Sequence, residues 1–257
     1  MESPWYHKAF GPHYSDIYAH RDRNDALRAI GFVRQLPGID LENMRVLDLC
    51  CGEGRHSVEV AKCKPPLLAG MDLSRHLLEK AREIKREQAP ELELARGNMI
   101  ALPYGDAQFD LVLNLFTSFG YFMDDKQNAE VLAEAARVLV RGGILLLDHI
   151  NPAWLREHLV PRSSRNTPGG LEIEEYRRVY RTDDQERVEK RMVFEIEGEQ
   201  EEILESVRIY EPEEMRDMAL GQGLILQSLY GDFDGSAFEA DSPRAIYVFQ
   251  KTAKGRD

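Results

Sequence analysis

The sequence contains few cysteines, no long apolar run and no excess of positive charge. Only three of 257 residues are cysteine, and Cys50 and Cys51 are adjacent, so their spacing matches neither a disulfide framework nor a metal site. No stretch approaches the ~20 apolar residues of a membrane span. Residues 1–7 lack the basic and apolar segments of a signal peptide. We therefore expect a cytoplasmic protein with no membrane association and no metal.

The charge balance argues against a nucleic-acid partner. Lysine and arginine total 33 against 45 aspartates and glutamates, which gives a formal net charge of −12. Sequence-independent affinity for nucleic acid comes from lysine and arginine contacts to phosphates, so this surface would repel DNA or RNA. With 43% hydrophobic residues, the chain can bury a substantial core. Its length fits one domain with an elaboration better than two full domains.

The most informative stretch is a glycine-containing turn in residues 46–57, between a predicted buried strand and a predicted helix. Gly52 and Gly54 allow the backbone to pass close to a ligand, because they lack a Cβ atom. The helix that begins near Gly54 would point free N–H groups into the same crevice. Ser57 stands where a dinucleotide fingerprint has a third glycine or alanine. The turn alone therefore predicts nucleotide binding without selecting the cofactor.

Two acidic residues narrow the choice of cofactor. Asp72 ends a second apolar run 24 positions after Asp48, where a carboxylate can accept both ribose hydroxyls of an adenosine. NAD and S-adenosylmethionine share that need. Asp48, however, lies inside the first strand, where an NAD-dependent dehydrogenase normally has only apolar residues. A carboxylate there suits the charged amino-acid end of S-adenosylmethionine.

Predicted strands and helices then alternate as far as residue 148. Helices are predicted over residues 54–63, 74–88 and 125–140, a fourth strand over 109–114 and a fifth over 144–148. This alternation predicts parallel strands, right-handed crossovers and a ligand cleft at the carboxyl ends of the strands.

Over roughly residues 40–150 the sequence resembles the class I S-adenosylmethionine-dependent methyltransferases, in their small-molecule, N-methyltransferase-like branch. The resemblance is carried in order by Asp48-Leu49-Cys50-Cys51-Gly52-Glu53-Gly54, Asp72, Gly97-Asn98-Met99, Phe109-Asp110 and Arg137-Val138-Leu139-Val140-Arg141-Gly142-Gly143. It implies an α/β, Rossmann-like methyltransferase fold with a mostly parallel seven-stranded sheet and helices on both faces. S-adenosylmethionine is the implied cofactor.

The resemblance also implies a set of cofactor-binding residues. Asn98 replaces the aspartate that is usual in the family, and its carbonyl oxygen can likewise accept a hydrogen bond from the adenine amino group. The backbone N–H of Met99 would serve an adenine ring nitrogen, and the side chains of Leu73 and Met99 would enclose the ring. Core packing explains Leu73 equally well. The expected cofactor site comprises Asp48, Cys50, Gly52, Gly54, Asp72, Leu73, Asn98, Met99 and Leu115.

The N-terminal residues, which precede this predicted domain, have a different sequence pattern. Residues 1–20 are rich in aromatic and histidine side chains, which predicts a lid over the active site or a helix docked by its aromatic face. An amphipathic helix is expected over 22–36. Arg21 and Arg23 could reach the cofactor carboxylate, although exposure to solvent is the simpler expectation. The predicted domains are residues 1–36, residues 37–160 together with 211–257, and an insertion over 161–210.

The insertion is predicted to be an antiparallel β-meander. An exposed loop over 161–170 precedes strand-like runs at 172–181, 187–196 and 201–210, with turns at 182–185 and 197–199. One face of the second run is apolar and the other charged, so the sheet should cover the active-site mouth or a second subunit. A homodimer through this sheet is therefore one expectation. A helix from residue 211 and strands at 224–229 and 245–250 complete the larger domain.

Methyl transfer from S-adenosylmethionine is a direct displacement, so it needs alignment and a dry pocket more than acid or base. His149, after the fifth strand, and Tyr121, after the fourth, are candidate proton carriers, as is Tyr14 in the lid; packing roles are the alternative for each. The expected reaction transfers a methyl group to a nitrogen or oxygen of a small molecule. An NAD-dependent dehydrogenase, or a subunit that binds S-adenosylmethionine or S-adenosylhomocysteine without turnover, are the rival interpretations.

Overall fold

The computed structural model describes residues 4–19, 23–182 and 185–252. No helix in these ranges is both long and apolar enough to cross a bilayer. In chain order the elements are α1 (Trp5–Ala9), α2 (Tyr14–Ile17), α3 (Arg23–Val33), β1 (Arg45–Leu49), α4 (Arg55–Ala61), β2 (Leu67–Asp72), α5 (Arg75–Gln88), β3 (Glu93–Arg96), β4 (Phe109–Asn114), α6 (Asp125–Val138), β5 (Leu139–Ile150), α7 (Pro152–His158), β6 (Arg162–Asn166), β7 (Glu172–Arg181), β8 (Glu186–Ile196), β9 (Glu199–Ile209), α8 (Pro212–Leu220), β10 (Leu224–Tyr230) and β11 (Arg244–Lys251).

Seven strands form the larger sheet, in the order β10-β11-β5-β4-β1-β2-β3. Neighbouring strands are parallel except that β11 runs antiparallel to both β5 and β10. The chain order reverses between β1 and β4, and a ligand crevice forms at the carboxyl ends of parallel strands at such a point. The predicted Rossmann-like fold with a mostly parallel seven-stranded sheet is therefore confirmed.

Both faces of the larger sheet are buried, which is why its central strands are almost continuously apolar. One face packs against α6 and α8 through a cluster that includes Val131 and Met215. The other packs against α3 and α4 through a cluster that includes Phe32 and Val60. This double covering fixes the strand ends, and with them the loops that follow β1, β2 and β4.

The inserted meander is also confirmed, with one strand more than predicted. It lies between α7 and α8 and has the order β6-β7-β8-β9, with antiparallel neighbours throughout. The predicted exposed loop over 161–170 is wrong for residues 162–166, because they form the edge strand β6 against β7. Its sequence, Arg-Ser-Ser-Arg-Asn, has no apolar alternation, and backbone pairing alone defines it. Part of the predicted 182–185 turn lies outside the described residues.

The apolar face of the meander is covered by the N-terminal segment of the same chain. Ile173, Met192 and Phe194 pack against Ala9 and Ile17. Residues 5–18 are thus docked between the smaller sheet and the cleft of the larger one, consistent with both readings of their aromatic pattern. A homodimer through the meander stays a prediction.

Candidate functional site

One cavity, of about 270 Å³, opens at the carboxyl ends of β1, β2 and β4 and is roofed by the N-terminal segment. It brings together ten of the twelve residues predicted for the site: Tyr14, Asp48, Cys50, Gly52, Asp72, Leu73, Asn98, Met99, Leu115 and Tyr121. Gly54 and His149 do not line it. The carboxyl-end cleft expected from the strand order is therefore a built cavity, and its walls come from segments far apart in sequence.

Asp72, the last residue of β2, joins two loops at the cavity. Its Oδ2 accepts a hydrogen bond from the backbone N–H of Gly52 at 2.9 Å, and its Oδ1 accepts one from the N–H of Ser74 at 2.8 Å. Burial raises the pKa of this carboxyl, while the two amide hydrogen bonds lower it. Each carboxylate oxygen retains a further lone pair, so Asp72 can still accept hydroxyl hydrogen bonds.

Asp48 presents a second buried carboxylate at the end of β1. Only 1% of its surface is exposed, and the Ser57 hydroxyl donates to its Oδ2 at 2.5 Å. Burial raises the pKa of Asp48 to about 6; the Ser57 hydrogen bond opposes this shift, and the charge of Asp72 adds to it. A cationic group in the cavity would offset the repulsion between these two carboxylates.

The turn between β1 and α4 depends on left-handed backbone conformations. Cys50, Gly52 and Gly54 have φ angles of +63°, +56° and +82°, and only glycine adopts this region without steric cost. A Cβ on Gly54 would face Ala81 and Leu92 at 3.6 and 3.9 Å, in the direction of α5. Gly54 thus caps α4 and packs against α5, and its contact with the cofactor stays a prediction.

The residues that follow β3 form a further wall of the cavity. Asn98 Oδ1 accepts a hydrogen bond from the Ile100 N–H at 3.3 Å, which fixes the amide's orientation and leaves the oxygen a second lone pair. Met99 is 8% exposed, and its Sδ lies 3.7 Å from the Cys50 thiol. This wall offers apolar surface and one side-chain acceptor, which suits an adenine ring.

The residues that follow β4 form another wall of the cavity, and their backbone is strained. Leu115 is buried, and the next two residues, Phe116 and Thr117, both have left-handed φ angles of +56° and +59°. The Phe116 N–H donates to Asp148 Oδ2 at 2.8 Å, and the Thr117 N–H donates to the Asp148 carbonyl at 3.2 Å. Arg244 donates to the same carboxylate at 2.8 and 3.1 Å. The buried Asp148 carboxylate, paired with the partly exposed Arg244, thus holds a strained turn whose residue Phe116 lines the cavity.

Six aromatic side chains, from the N-terminal segment and from the segment after β4, line the cavity. We call them the aromatic wall: Tyr6, Phe10, Tyr14, Tyr18, Tyr121 and Phe122. The rings of Phe10 and Tyr121 stack at 5.7 Å, and those of Phe10 and Tyr14 lie 5.4 Å apart. The Ser74 hydroxyl donates to the Phe10 carbonyl at 2.7 Å and ties this segment to the cofactor side.

His149 is not at the site. It is fully buried, its Nε2 lies 3.1 Å from the Arg208 carbonyl, and its ring packs between Phe119 and Tyr210. Burial lowers the pKa of His149 to about 4. The prediction of a general base at this position is therefore corrected. The side chain points between the two sheets, where it packs as the alternative interpretation allowed.

The cavity-lining residues that the sequence arguments had not assigned to the site include two from the start of α4, whereas the candidate Arg23 does not line the cavity. His56 and Arg55 reach the cavity from the start of α4, with the Arg55 guanidinium 4.6 Å from the Phe116 ring centroid. Burial lowers the pKa of His56 to about 3, so it is a neutral imidazole. Arg23 pairs with Glu59 at 3.1 Å, and Arg21 lies outside the described residues. The sequence signal that could have placed Arg55 and His56 at the cavity is that they directly follow Gly54.

The fold and this site define a nucleotide-binding α/β domain of the methyltransferase type. The family model described as "Methyltransferase domain" matches residues 46–143. The match therefore shows a methyltransferase domain within residues 46–143.

Known proteins agree with this assignment. The chain is 34% identical over 108 residues to a demethylmenaquinone methyltransferase of Lactococcus lactis; the match covers 40% of this chain and 41% of that one. It therefore spans about two fifths of this curated relative. Among solved structures, CcbJ methyltransferase from Streptomyces caelestis superposes with a TM-score of 0.75 at 19% identity, covering 95% and 98% of the two chains. A SAM-bound amino pentose methyltransferase from Micromonospora echinaspora gives 0.66 at 22%, covering 94% and 98%.

Proposed function

We propose that the protein transfers the methyl group of S-adenosylmethionine to a nitrogen of a small molecule. The observation that carries the proposal is a single cavity with two unlike groups of lining residues. One group comprises Asp48, Asp72 and Asn98, and the other is the aromatic wall. A protein that only bound the cofactor would have no use for an aromatic wall beside the polar residues, which argues against a non-catalytic binding subunit.

The residues of the first group fit the cofactor in order. Asn98 and Met99 would hold the adenine, Asp72 would accept from the ribose hydroxyls, and Asp48 lies nearest the glycine turn, where it would face the cationic end. Bound S-adenosylmethionine supplies a methyl group already activated by its sulfonium. The carboxylates would stabilise that positive charge, and the aromatic wall would exclude water.

The choice of nitrogen rests on the side chains available as bases. The His56 imidazole has its pKa lowered to about 3, and His149 lies outside the cavity. Glu53 is hydrogen-bonded to Ser15 and lies 3.7 Å from Lys80. A neutral amine attacks without prior deprotonation, whereas an alcohol needs a base. Tyr14 and Tyr121 remain as groups that could accept or relay a proton.

The amino pentose methyltransferase noted above has a similar fold, which is compatible with an amino acceptor but does not identify one. Methyl-labelled S-adenosylmethionine incubated with separate panels of small primary amines, amino sugars, phenols and quinols tests the proposal. We expect labelled N-methyl products. Label found only in O-methyl or C-methyl products would contradict the nitrogen assignment. Tight S-adenosylhomocysteine binding with no transfer to any panel would instead favour the binding subunit.

A further inference from the structure

Arg187 of β8 is a fully buried cation that contacts the active-site wall. Its Nη1 donates to the Phe122 carbonyl at 2.9 Å, and its Nη2 lies 3.3 and 3.4 Å from the Gly120 and Tyr121 carbonyls. Its remaining hydrogen bonds go to Ser206, whose hydroxyl and carbonyl both lie at 2.9 Å. One guanidinium thus binds three consecutive carbonyls of residues 120–122.

This arrangement is costly to build. Within the described ranges, no carboxylate lies within 4.0 Å of the Arg187 guanidinium. Transferring an unpaired charge from water to a protein interior costs several kcal/mol, and carbonyl hydrogen bonds recover only part of it. An apolar side chain of similar volume would fill the space more cheaply. The presence of Arg187 is therefore better explained by the backbone carbonyls that it binds than by a contribution to the stability of the protein.

The 120–122 segment is also held from two other directions. Gly120 has a φ of +86°, its carbonyl accepts from the Arg208 N–H at 2.8 Å, and a Cβ there would lie 2.8 Å from the Arg208 carbonyl. The Trp5 indole N–H donates to the Tyr121 carbonyl at 3.3 Å, and the Trp5 and Tyr121 rings meet edge-on at 5.0 Å. Arg187 and Trp5 therefore share one carbonyl acceptor.

We propose that Arg187 is a positioning residue: it fixes residues 120–122 so that Tyr121 and Phe122 face the methyl acceptor. The proposal rests on the proposed function, in which the acceptor occupies the aromatic wall. It gives the inserted sheet a role in acceptor binding, because this side chain of β8 binds the backbone of the cavity-lining Tyr121 and Phe122. Cofactor binding, which uses other walls, should not depend on Arg187.

Trp5 provides a spectroscopic test that needs no acceptor. The chain has two tryptophans, so Trp154→Phe leaves Trp5 as the only indole fluorophore. In that background we would compare Arg187→Met, Arg187→Lys and the matched control Arg191→Met. Arg191 lies on the same strand but pairs with Glu202 on the surface. Trp5 emission, amide hydrogen exchange of residues 116–123 and calorimetric affinity for S-adenosylhomocysteine would be measured for each variant.

Arg187→Met should shift the Trp5 emission and speed exchange at Tyr121 and Phe122 by about tenfold, because their segment loses three hydrogen bonds. Arg187→Lys keeps the charge and should give a smaller change in the same direction, and Arg191→Met should give none. S-adenosylhomocysteine affinity should stay within about twofold. With any acceptor that wild-type protein methylates, KM for the acceptor should rise about fivefold or more, with KM for S-adenosylmethionine unchanged.

Unchanged Trp5 emission and exchange in both Arg187 variants, or changes equal to those of Arg191→Met, would overturn the positioning role. If Arg187→Met fails to fold, Arg187→Lys decides the matter by the same two readouts. A wild-type protein that does not bind S-adenosylhomocysteine would contradict the proposed function while leaving the fluorescence comparison a valid test of Arg187.

Discussion

The carboxylate of Asp148 accepts the backbone N–H of Phe116 at 2.8 Å while it pairs with Arg244, so one fully buried side chain links β5, β11 and the strained turn after β4. A similar contact occurs at the opposite end of β4. There Asp110 accepts the Arg45 N–H at 2.8 Å and pairs with its guanidinium, but the pair is partly exposed. The two aspartates therefore make the same kind of contact, and substitutions of Asp148 and Asp110 can be compared directly.

Asp148→Ala should lower the free energy of unfolding by about 3 kcal/mol, because it leaves a partly buried guanidinium and a backbone N–H without their acceptor. It should also weaken S-adenosylhomocysteine binding, since the left-handed Phe116 turn loses its support. Asp110→Ala should cost about 1 kcal/mol and leave binding unchanged. Chemical denaturation and calorimetry measure both quantities. Equal effects of the two substitutions on binding would show that the turn does not depend on Asp148.

Asp48 should make cofactor binding depend on pH. Burial raises its pKa to about 6, so the free protein is partly protonated there near pH 6. A cationic ligand favours the ionised form and lowers that pKa, so binding should release roughly half a proton at pH 6 and affinity should rise with pH to a plateau above it. Calorimetry of S-adenosylmethionine in two buffers of different ionisation enthalpy measures the release. The same release in Asp48→Asn would assign it to another group.

In the absence of ligand, the contribution of Asp48 to the stability of the folded protein should fall as pH rises, which is the opposite of the trend in affinity. Because the folded pKa of Asp48 lies above its unfolded value, its contribution to stability is complete at low pH and declines as pH rises through about 6. Asp48→Asn should remove that decline, and pH-dependent denaturation would detect the difference. A decline in the variant equal to or steeper than that of the wild type would contradict the assignment.

His149 should contribute to stability and not to catalysis. Its pKa is lowered to about 4, so its contribution is present above the unfolded pKa and is lost as pH falls from about 6.5 towards 4. Between pH 7 and pH 5, wild-type protein should therefore lose about 2 kcal/mol more stability than His149→Phe. The exposed His158 offers a control as His158→Phe. Loss of turnover in His149→Phe at unchanged stability and S-adenosylhomocysteine affinity would restore a catalytic role.

The cofactor end of the site was predictable because its signals are local. Gly52 and Asp72 each follow a recognisable apolar strand, and parallel strands place their carboxyl ends at one edge. Gly54 shows where such reasoning stops. A turn glycine can serve the ligand or the packing of a helix, and the contact between Gly54 and Ala81, 27 residues later, appears only in the fold.

The turn after β4 and the contacts of the aromatic wall were much less predictable, because long-range pairing builds them. Asp148 and Arg244 meet only through the antiparallel register of β5 and β11, and Arg187 meets Phe122 only after the meander docks. His149 was misassigned for the same reason: its strand register and its contact with Arg208 direct it between the two sheets. The β6 edge strand had no apolar alternation to reveal it.

The central claim, a cavity built for S-adenosylmethionine, is tested most directly by calorimetric titration of S-adenosylhomocysteine and of NAD into wild-type protein and Asp72→Ala. We predict micromolar or tighter binding of S-adenosylhomocysteine, no binding of NAD, and a loss of about tenfold or more in Asp72→Ala, which removes a charged acceptor of the ribose hydroxyls. Asp106→Ala, which replaces an exposed residue, should leave the affinity for S-adenosylhomocysteine unchanged. Binding of NAD without S-adenosylhomocysteine, or full affinity in Asp72→Ala, would contradict the account.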